Sequence, residues 1–134
     1  MKKTLLLLYV LTFVFCNIGC KKTPFDFRNK YCGDYNFVYS YYSWQLNLGV
    51  YATDTINYSG KVYYSIENKI EVDYNPNLSL ELGITQDGNL SLPCGTIIGK
   101  FEDDNNLTLN YNSNSCGHGG LGGGSNYSII GKKK

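Results

Sequence analysis

Histidine is nearly absent from this sequence of 134 residues, which contains a single one, His118. Imidazole is the commonest general base and a frequent zinc ligand, so a single histidine makes a general-base catalytic site and a zinc site both unfavourable interpretations. The sequence also lacks a GxSxG nucleophile elbow and a GK[ST] phosphate loop. These absences argue against a hydrolytic enzyme, a metal site and a bound cofactor.

A surplus of basic residues is absent as well. The sequence carries 12 Lys and Arg against 11 Asp and Glu, and 10 basic residues remain once residues 1–19 are set aside. Proteins that bind nucleic acid usually show a clustered basic surplus, so no nucleic-acid partner is expected. The abundant residues include Tyr and Gly, with 13 and 15 copies. Tyrosine favours strands and glycine favours turns, which points away from a helical fold.

No apolar run is long enough to cross a membrane, and the longest one lies near the N-terminus. Leu5–Phe15 carries no charge and follows Lys2 and Lys3. A membrane-spanning helix takes roughly 20 apolar residues, whereas a run of this length is typical of a signal peptide. Ile18-Gly19-Cys20 follows as a small-residue cleavage site that ends in a cysteine. Residues 1–19 are therefore predicted to be a signal peptide.

The segment "NIGC" resembles the lipobox of bacterial lipoproteins, in the looser form with Asn17 that is familiar in the Bacteroidota. The resemblance implies that Cys20 carries a diacylglycerol and becomes the mature N-terminus. Ordinary secretion with cleavage near Cys16 is the alternative. A protein with two or more acyl chains is stably anchored, and Lys21 and Lys22 would then lie beside anionic headgroups or begin a solvated linker.

The same resemblance implies a place in the cell envelope. Bacteroidota lipoproteins sent to the outer surface often carry acidic residues directly after the cysteine, whereas Lys21 and Lys22 occupy those positions here. A lipid anchor in the outer membrane facing the periplasm is therefore expected, with surface exposure as the alternative. The membrane would be a partner through the N-terminal lipid alone.

Alternation of apolar and polar residues dominates the rest of the chain. Ile70, Val72 and Tyr74 share one face of a predicted strand, and Leu107 and Leu109 do the same further on. One apolar face and one polar face are typical of antiparallel strands with one solvated side. The sequence therefore predicts an all-β fold, an antiparallel meander of about eight strands that closes into a small barrel or folds into a sandwich.

Three segments are expected: a signal peptide at 1–19, a lipid-anchored linker at 20–30 and a single β domain at 31–134. The β domain resembles small Bacteroidota lipoproteins with a lipocalin-like β-barrel. The resemblance rests on "YCGDYNF", "YSGKVYYSIENKIEVDY", "QDGNLSLPCG" and "GGLGGGSNYSIIGKKK". It implies the fold and assigns no ligand.

Aromatic residues crowd the first predicted strand and provide the candidate binding surface, made of Tyr39, Tyr41, Tyr42 and Trp44. Rigid aromatic rings outside a core suit sugar or protein recognition. Alternation cannot place all of them on one face, because Tyr42 falls on the opposite face to Tyr39 and Tyr41. The alternative is that the tyrosines form cross-strand pairs on a solvated sheet.

The cysteines predict a disulfide between Cys94 and Cys116. A hairpin turn centred on Asn105 would place these two residues opposite each other, and the cell envelope is oxidising enough to keep the bond. Cys32, at the start of the first strand, is the rival partner. A zinc site of three cysteines and His118 is disfavoured because no C-x₂-C pair is present.

The glycine-rich segment 117–124 is interpreted as a flexible hairpin loop, since strand-like "SNYSII" follows it. Together these features predict a lipid-anchored cell-envelope binding or interaction module without catalytic activity, with a protein or glycan as its partner. A lipocalin-like carrier of a small apolar ligand inside the barrel is the alternative.

Overall fold

The computed structural model describes residues 26–46, 49–117 and 123–134. The predicted signal peptide, Cys20 and His118 lie outside the described residues. A short 3₁₀ helix, Phe27–Lys30, precedes eight strands. These strands are β1 (Gly33–Gln45), β2 (Gly49–Tyr64), β3 (Lys69–Asn75), β4 (Leu78–Ile84), β5 (Asn89–Ser91), β6 (Ile97–Phe101), β7 (Asn106–Asn112) and β8 (Gly123–Lys133).

The eight strands form a closed antiparallel barrel in sequence order. Closure comes from β8, which pairs with β1 along its length, as in the pair Phe37 and Gly131. The predicted all-β meander of about eight strands is confirmed, and the barrel rather than the sandwich is observed. No helix within the described ranges is long and apolar enough to cross a bilayer.

Alternating side chains fill the barrel interior. Ile70, Val72, Leu107 and Leu109 are fully buried, as their two-residue spacing predicts. The largest buried side chains are Tyr35, Phe37, Leu82, Leu90 and Ile129. An eight-stranded barrel has an interior just wide enough for side chains to fill, and aliphatic and aromatic groups do so here.

The 3₁₀ helix covers the lower end of the barrel, where β1 begins. The Asp26 carboxylate accepts the N–H of Arg28 at 2.9 Å and so caps the helix. The Arg28 guanidinium pairs with Asp26 at 2.6 Å and donates to the carbonyls of Ile66 and Lys69, both at 2.8 Å. Residues 26–30 are therefore packed against the barrel, so the predicted linker 20–30 is too long by these five residues.

Aromatic rings seal the same end from inside. The Tyr31 ring stacks on Phe101 with centroids 4.3 Å apart, and the Tyr35 hydroxyl donates to the Tyr31 carbonyl at 2.7 Å. Gly88 in the "QDG" turn has φ +81°, the positive value that the turn requires and that glycine tolerates. The lower end is thereby closed by the helix, the tyrosines and the hairpins.

Strand lengths are uneven, and this sets the shape of the upper end. β8, β1 and β2 have 11, 13 and 16 residues, whereas β3 to β7 have 3 to 7. The register of β2 with β3 covers only Lys61–Tyr64. β8, β1 and β2 therefore rise beyond their neighbours as one tall wall, and the candidate site lies on its outer face.

The β6–β7 hairpin turns one residue earlier than expected. Phe101 pairs with Leu107, which centres the turn on Asp104 rather than on Asn105. The Asp103 carboxylate accepts the N–H groups of Asn105 and Asn106, both at 2.7 Å, and these hydrogen bonds lower the pKa of Asp103. The turn position follows from this Asx arrangement, which the sequence "DDNN" leaves open.

Candidate functional site

The structure divides the predicted aromatic surface between two faces of β1. Tyr39 is buried and Tyr41 is half-buried, and both lie on the interior face. The Tyr39 ring lies 5.2 Å from Tyr74 and 6.4 Å from Tyr127, measured between centroids. Tyr39 and Tyr41 therefore do not belong to an exposed binding surface, which corrects the prediction for these two residues.

Five tyrosines form a cluster in the upper interior of the barrel: Tyr39, Tyr41, Tyr74, Tyr111 and Tyr127. The rings of Tyr111 and Tyr127 stack at 4.9 Å. Burial away from water, with smaller contributions from neighbouring phenols, raises the pKa of Tyr39 to about 12. Burial also raises the pKa values of Tyr111 and Tyr74. The cluster is therefore an aromatic lining of the upper end.

Tyr42 and Trp44 lie on the outer face of the tall wall. The Tyr42 side chain is 42% exposed, and Trp44 is half-buried. The Trp44 indole covers Gly124 of β8, where an added Cβ would stand 3.5 Å from the ring. Of the four predicted aromatics, these two remain on one solvated surface.

A shallow groove of about 430 Å³ lies on this outer face and crosses four strands. Its outward-facing lining comprises Ser40, Tyr42, Thr53, Asn110, Asn112, Asn126 and Ser128, and the intervening residues Tyr41, Tyr111 and Tyr127 complete it. The register explains the arrangement, because Tyr42 pairs with Thr53 on one side and with Asn126 on the other. Asn126 in turn pairs with Asn112 of β7.

A second row lies below the first and is likewise uncharged, with hydroxyls and one amide. Ser128 stands between Asn110 of β7 and Ser40 of β1. The Ser40 hydroxyl hydrogen-bonds with the Thr55 hydroxyl at 3.1 Å. Directly opposite residues on one sheet face are in side-chain contact distance, so the two rows form a continuous grid of amides and hydroxyls. Tyr42 is the one aromatic ring exposed within that grid.

The groove continues around the barrel towards β6. A depression of about 290 Å³ adjoins it and shares Asn110 as a lining residue. Lys100 and Glu102 lie there as an ion pair at 2.9 Å, so their opposite charges offset each other. The polar surface is therefore longer than the groove alone.

The predicted disulfide is present in the structure and supports the β7 edge of the groove. Cys94 and Cys116 are bonded with their Cα atoms 5.8 Å apart, and both lie in loops beyond the paired part of the hairpin. Ser115, next to Cys116, accepts the N–H of Asn112 through its hydroxyl at 2.9 Å. The disulfide thereby helps to fix the position of Asn112, which lines the groove.

The rival disulfide pairing through Cys32 is not observed in the described residues. Cys32 is buried at the lower end and takes no part in the disulfide. The part of the chain that the structure describes contains no group of three His, Cys, Asp or Glu side chains arranged for a metal ion. His118 and the centre of the glycine-rich segment lie outside that part.

The asparagines of β7 and β8 are the site residues that sequence reasoning missed. Asn110, Asn112 and Asn126 lie on polar strand faces, where a solvated role is the ordinary interpretation. Their alignment with Tyr42 depends on the closing pairing of β8 with β1 and is not visible in any local pattern.

The fold and the groove define a small β-barrel whose described core side chains are buried and whose outer wall carries a polar surface centred on Tyr42. Comparison with known proteins adds no family: no family model, no curated protein and no solved structure matches the chain significantly.

Proposed function

We propose that this protein is a lipid-anchored binding module of the bacterial cell envelope and that the outer groove around Tyr42 is its binding surface. The observation that carries the proposal is the contrast between the two sides of the wall. Its interior face is filled by buried side chains, whereas its outer face presents an exposed ring above uncharged polar groups. A concave surface with a few convergent polar groups is the usual form of a binding site.

The placement of the anchor agrees with this function. Cys20, the proposed lipidated residue, precedes the first described residue, Asp26, by six positions. Six residues span at most about 20 Å, so the lower end of the barrel would stay near the bilayer. The groove lies on the upper part of the wall and would remain accessible from the aqueous side.

The lining also supports binding without chemical conversion. The described residues that form the groove contribute amides, hydroxyls and phenols, without a carboxylate, thiol or imidazole among them. General acid–base and nucleophilic catalysis both depend on such groups. The proposal is therefore a module that holds a partner and leaves it unchanged.

A lipocalin-like carrier is the second candidate, favoured by the barrel itself and by the tyrosine cluster at its upper end. A small apolar ligand would enter between Tyr39, Tyr41 and Tyr127 and displace their rings. The dense stacking of these rings weighs against this alternative.

Lipid anchoring is tested by fractionating cells that express the wild type, Cys20→Ala or Cys16→Ala. The wild type and Cys16→Ala should be retained in the outer-membrane fraction, and Cys20→Ala should not. The mature wild-type N-terminus should carry the mass of its acyl chains. Retention of Cys20→Ala, or a wild-type N-terminus without acyl mass, contradicts the anchor.

The binding surface is tested by amide chemical-shift mapping of the full chain in a detergent without a sugar headgroup. Polysaccharide and protein fractions of the cell envelope are titrated separately. Shifts confined to Asn112, Asn126 and their neighbours support the groove. Shifts confined to the residues around Tyr39 support the carrier instead, and the absence of shifts with either fraction overturns the binding module.

A further inference from the structure

We infer that the groove binds a neutral, hydroxyl-rich saccharide, stacked on Tyr42 and hydrogen-bonded to the asparagines of β7 and β8. This inference rests on the proposed function and names the class of ligand that the groove takes. Three properties of the described surface lead to it: the flat exposed ring, the two-way hydrogen-bonding groups around that ring, and the absence of charge in the lining.

The first property is the Tyr42 ring. It is 42% exposed on an outer wall whose neighbouring groove residues are small or of medium size. A sugar ring presents a face of C–H groups that lies flat on an aromatic face and buries apolar area there. A tyrosine supplies this contact with little loss of conformational entropy, since its side chain has only two rotatable bonds.

The second property is the chemistry of the flanking side chains. Asn110, Asn112 and Asn126 carry amides, each with a donor group and an acceptor group. Ser40 and Ser128 add hydroxyls that can also act in both ways. Sugar hydroxyls also act as both donors and acceptors. Each sugar hydroxyl can therefore donate one hydrogen bond to these side chains and accept another from them.

One of these amides is already held in position. The Asn112 side-chain oxygen accepts the backbone N–H of Asn114 at 2.8 Å. The loop that supplies this contact is tied to the β5–β6 loop by the disulfide and by the Thr96 hydroxyl, which donates to the Ser115 carbonyl at 2.9 Å. Fixing a polar group before binding lowers the entropy lost on binding.

The third property is neutrality. All of the side chains that line the groove are uncharged at neutral pH. Phosphate and carboxylate ligands are usually held by Arg or Lys, and cationic ligands by acidic groups or aromatic cages. A neutral ligand with many hydroxyls matches this lining better than either kind of ion.

The dimensions favour a short chain of sugars over a single ring. Four adjacent strands span roughly 14 Å from β7 to β2, given about 4.8 Å between neighbours. The adjoining depression extends the polar surface past Asn110 towards β6. An oligosaccharide can therefore contact Tyr42 with one ring and the asparagines with the next ones.

A protein partner is the main competitor and fits this lining less well. Protein interfaces concentrate their binding energy in buried Trp, Tyr and Arg anchors. The groove offers one such residue, Tyr42, among small polar side chains. Val38 and Ile130, two exposed apolar residues in the described part of this wall, lie below the groove and do not line it.

The test is a calorimetric titration of the full chain with neutral hexasaccharides of glucose, xylose, mannose and N-acetylglucosamine, and with hexagalacturonate as the charged counterpart. The detergent carries no sugar headgroup. At least one neutral hexasaccharide should bind, and hexagalacturonate should not compete with it. Tyr42→Ala should weaken binding about tenfold, and Asn126→Ala should weaken it as well.

Two variants control for folding and for location. Tyr42→Phe keeps the ring and should retain most of the affinity. Val38→Ala changes an exposed residue of the same wall outside the groove and should leave the affinity unchanged. Saccharide binding that survives Tyr42→Ala, or that Val38→Ala weakens equally, overturns the inference.

The remaining outcomes separate the inference from the proposed function. If no hexasaccharide or only hexagalacturonate binds, while the envelope protein fraction still shifts the groove amides, the saccharide inference falls and the binding module stands. If neither saccharides nor envelope fractions affect the groove, both fall.

Discussion

Arg28 is the residue through which the N-terminal 3₁₀ helix is fastened to the barrel. Its guanidinium donates to two carbonyls of the β2–β3 hairpin region and lies 4.9 Å from the centre of the Tyr64 ring. A lysine would keep the charge but could not serve both carbonyls and the Asp26 carboxylate with one planar group. The Arg28 side chain, which is 13% exposed, is thus one of the contacts that hold the helix on the barrel, together with the Lys133 ammonium, which donates to the Lys30 carbonyl at 2.8 Å.

Arg28→Gln is therefore expected to lower the free energy of unfolding by about 2 kcal/mol, as hydrogen bonds to a charged group are lost. Arg28→Lys is the matched control and should recover part of that loss. Urea denaturation of both variants measures the difference. Equal stability of Arg28→Gln and the wild type would show that the hydrogen bonds of Arg28 do not contribute to the free energy of unfolding.

The buried Tyr39 phenol makes the free energy of unfolding depend on pH in the alkaline range. Its folded-state pKa is raised to about 12, mainly by burial, whereas an unfolded tyrosine titrates near 10. The folded state therefore holds the proton more tightly than the unfolded state. The stabilisation is complete below pH ~10 and is lost progressively as the pH rises from ~10 to ~12.

The expected result is a urea midpoint that stays constant from neutral pH to about 10 and then falls. The raised pKa values of Tyr74 and Tyr111 act in the same direction. The urea midpoint of Tyr39→Phe should fall less steeply with pH, because one titrating group has been removed. An unchanged slope in Tyr39→Phe would mean that Tyr39 does not contribute to the alkaline transition.

At the scale of elements, the disulfide joins the β5–β6 loop to the β7–β8 loop. It closes a segment of 22 residues in sequence separation, for which the chain-entropy model gives a stabilisation of ~3 kcal/mol. The free energy of unfolding of the double variant Cys94→Ser/Cys116→Ser should be lower by about this amount. Reductant should destabilise the wild type but not the variant. Amide hydrogen exchange at Asn112 and Ser115 should be faster in the variant. Unchanged exchange rates at these two amides would show that the disulfide does not stabilise the β7 edge of the groove.

The alternation of apolar residues predicted most strand elements correctly because burial on one face imposes a period of two. Ile70 and Val72 show this, and the filled interior follows from it. The buried face of β1 was harder to predict, since aromatic rings occur on both faces and local alternation does not say which face is inside. The core positions of Phe37 and Tyr39 are set by their partners Gly131 and Ile129 on β8.

The groove was less predictable than the strands. It brings together β7, β8, β1 and β2, and its lining depends on register at three successive pairings. A shift of one residue at any pairing would send the lining to the other face. The one-residue shift of the turn to Asp104 shows how the hydrogen bonds of a single side chain, Asp103, accompany such a register. Tyr42 was within reach of sequence reasoning, whereas the asparagines around it were not.

The whole molecule has a lower end, where the 3₁₀ helix lies, and an upper end with the tall wall. Trp44 is the only tryptophan and lies about 30 Å along tilted β1 from the lower end. Ile66 lies at the lower end and is 62% exposed. The proposed anchor would hold Ile66 near the bilayer and Trp44 away from it.

This orientation is testable with the native fluorophore in vesicles that contain brominated lipid. Wild-type Trp44 fluorescence should be quenched weakly, and the variant Trp44→Phe/Ile66→Trp should be quenched strongly. Strong quenching of Trp44 would indicate that the barrel lies on its side and that the groove contacts lipid.

Closure of the barrel by β1 and β8 also governs the order of folding. Phe37 finds its partner Gly131 only after roughly ninety further residues have become available. Until then β1 has an open edge that carries several aromatic side chains, the kind of edge that promotes association between chains. Contacts so distant in sequence form slowly, because the loop must be closed before the pairing can stabilise it. A chain of this topology therefore spends its most aggregation-prone interval between the appearance of β1 and the arrival of β8, and a chaperone that masks the β1 edge would shorten it.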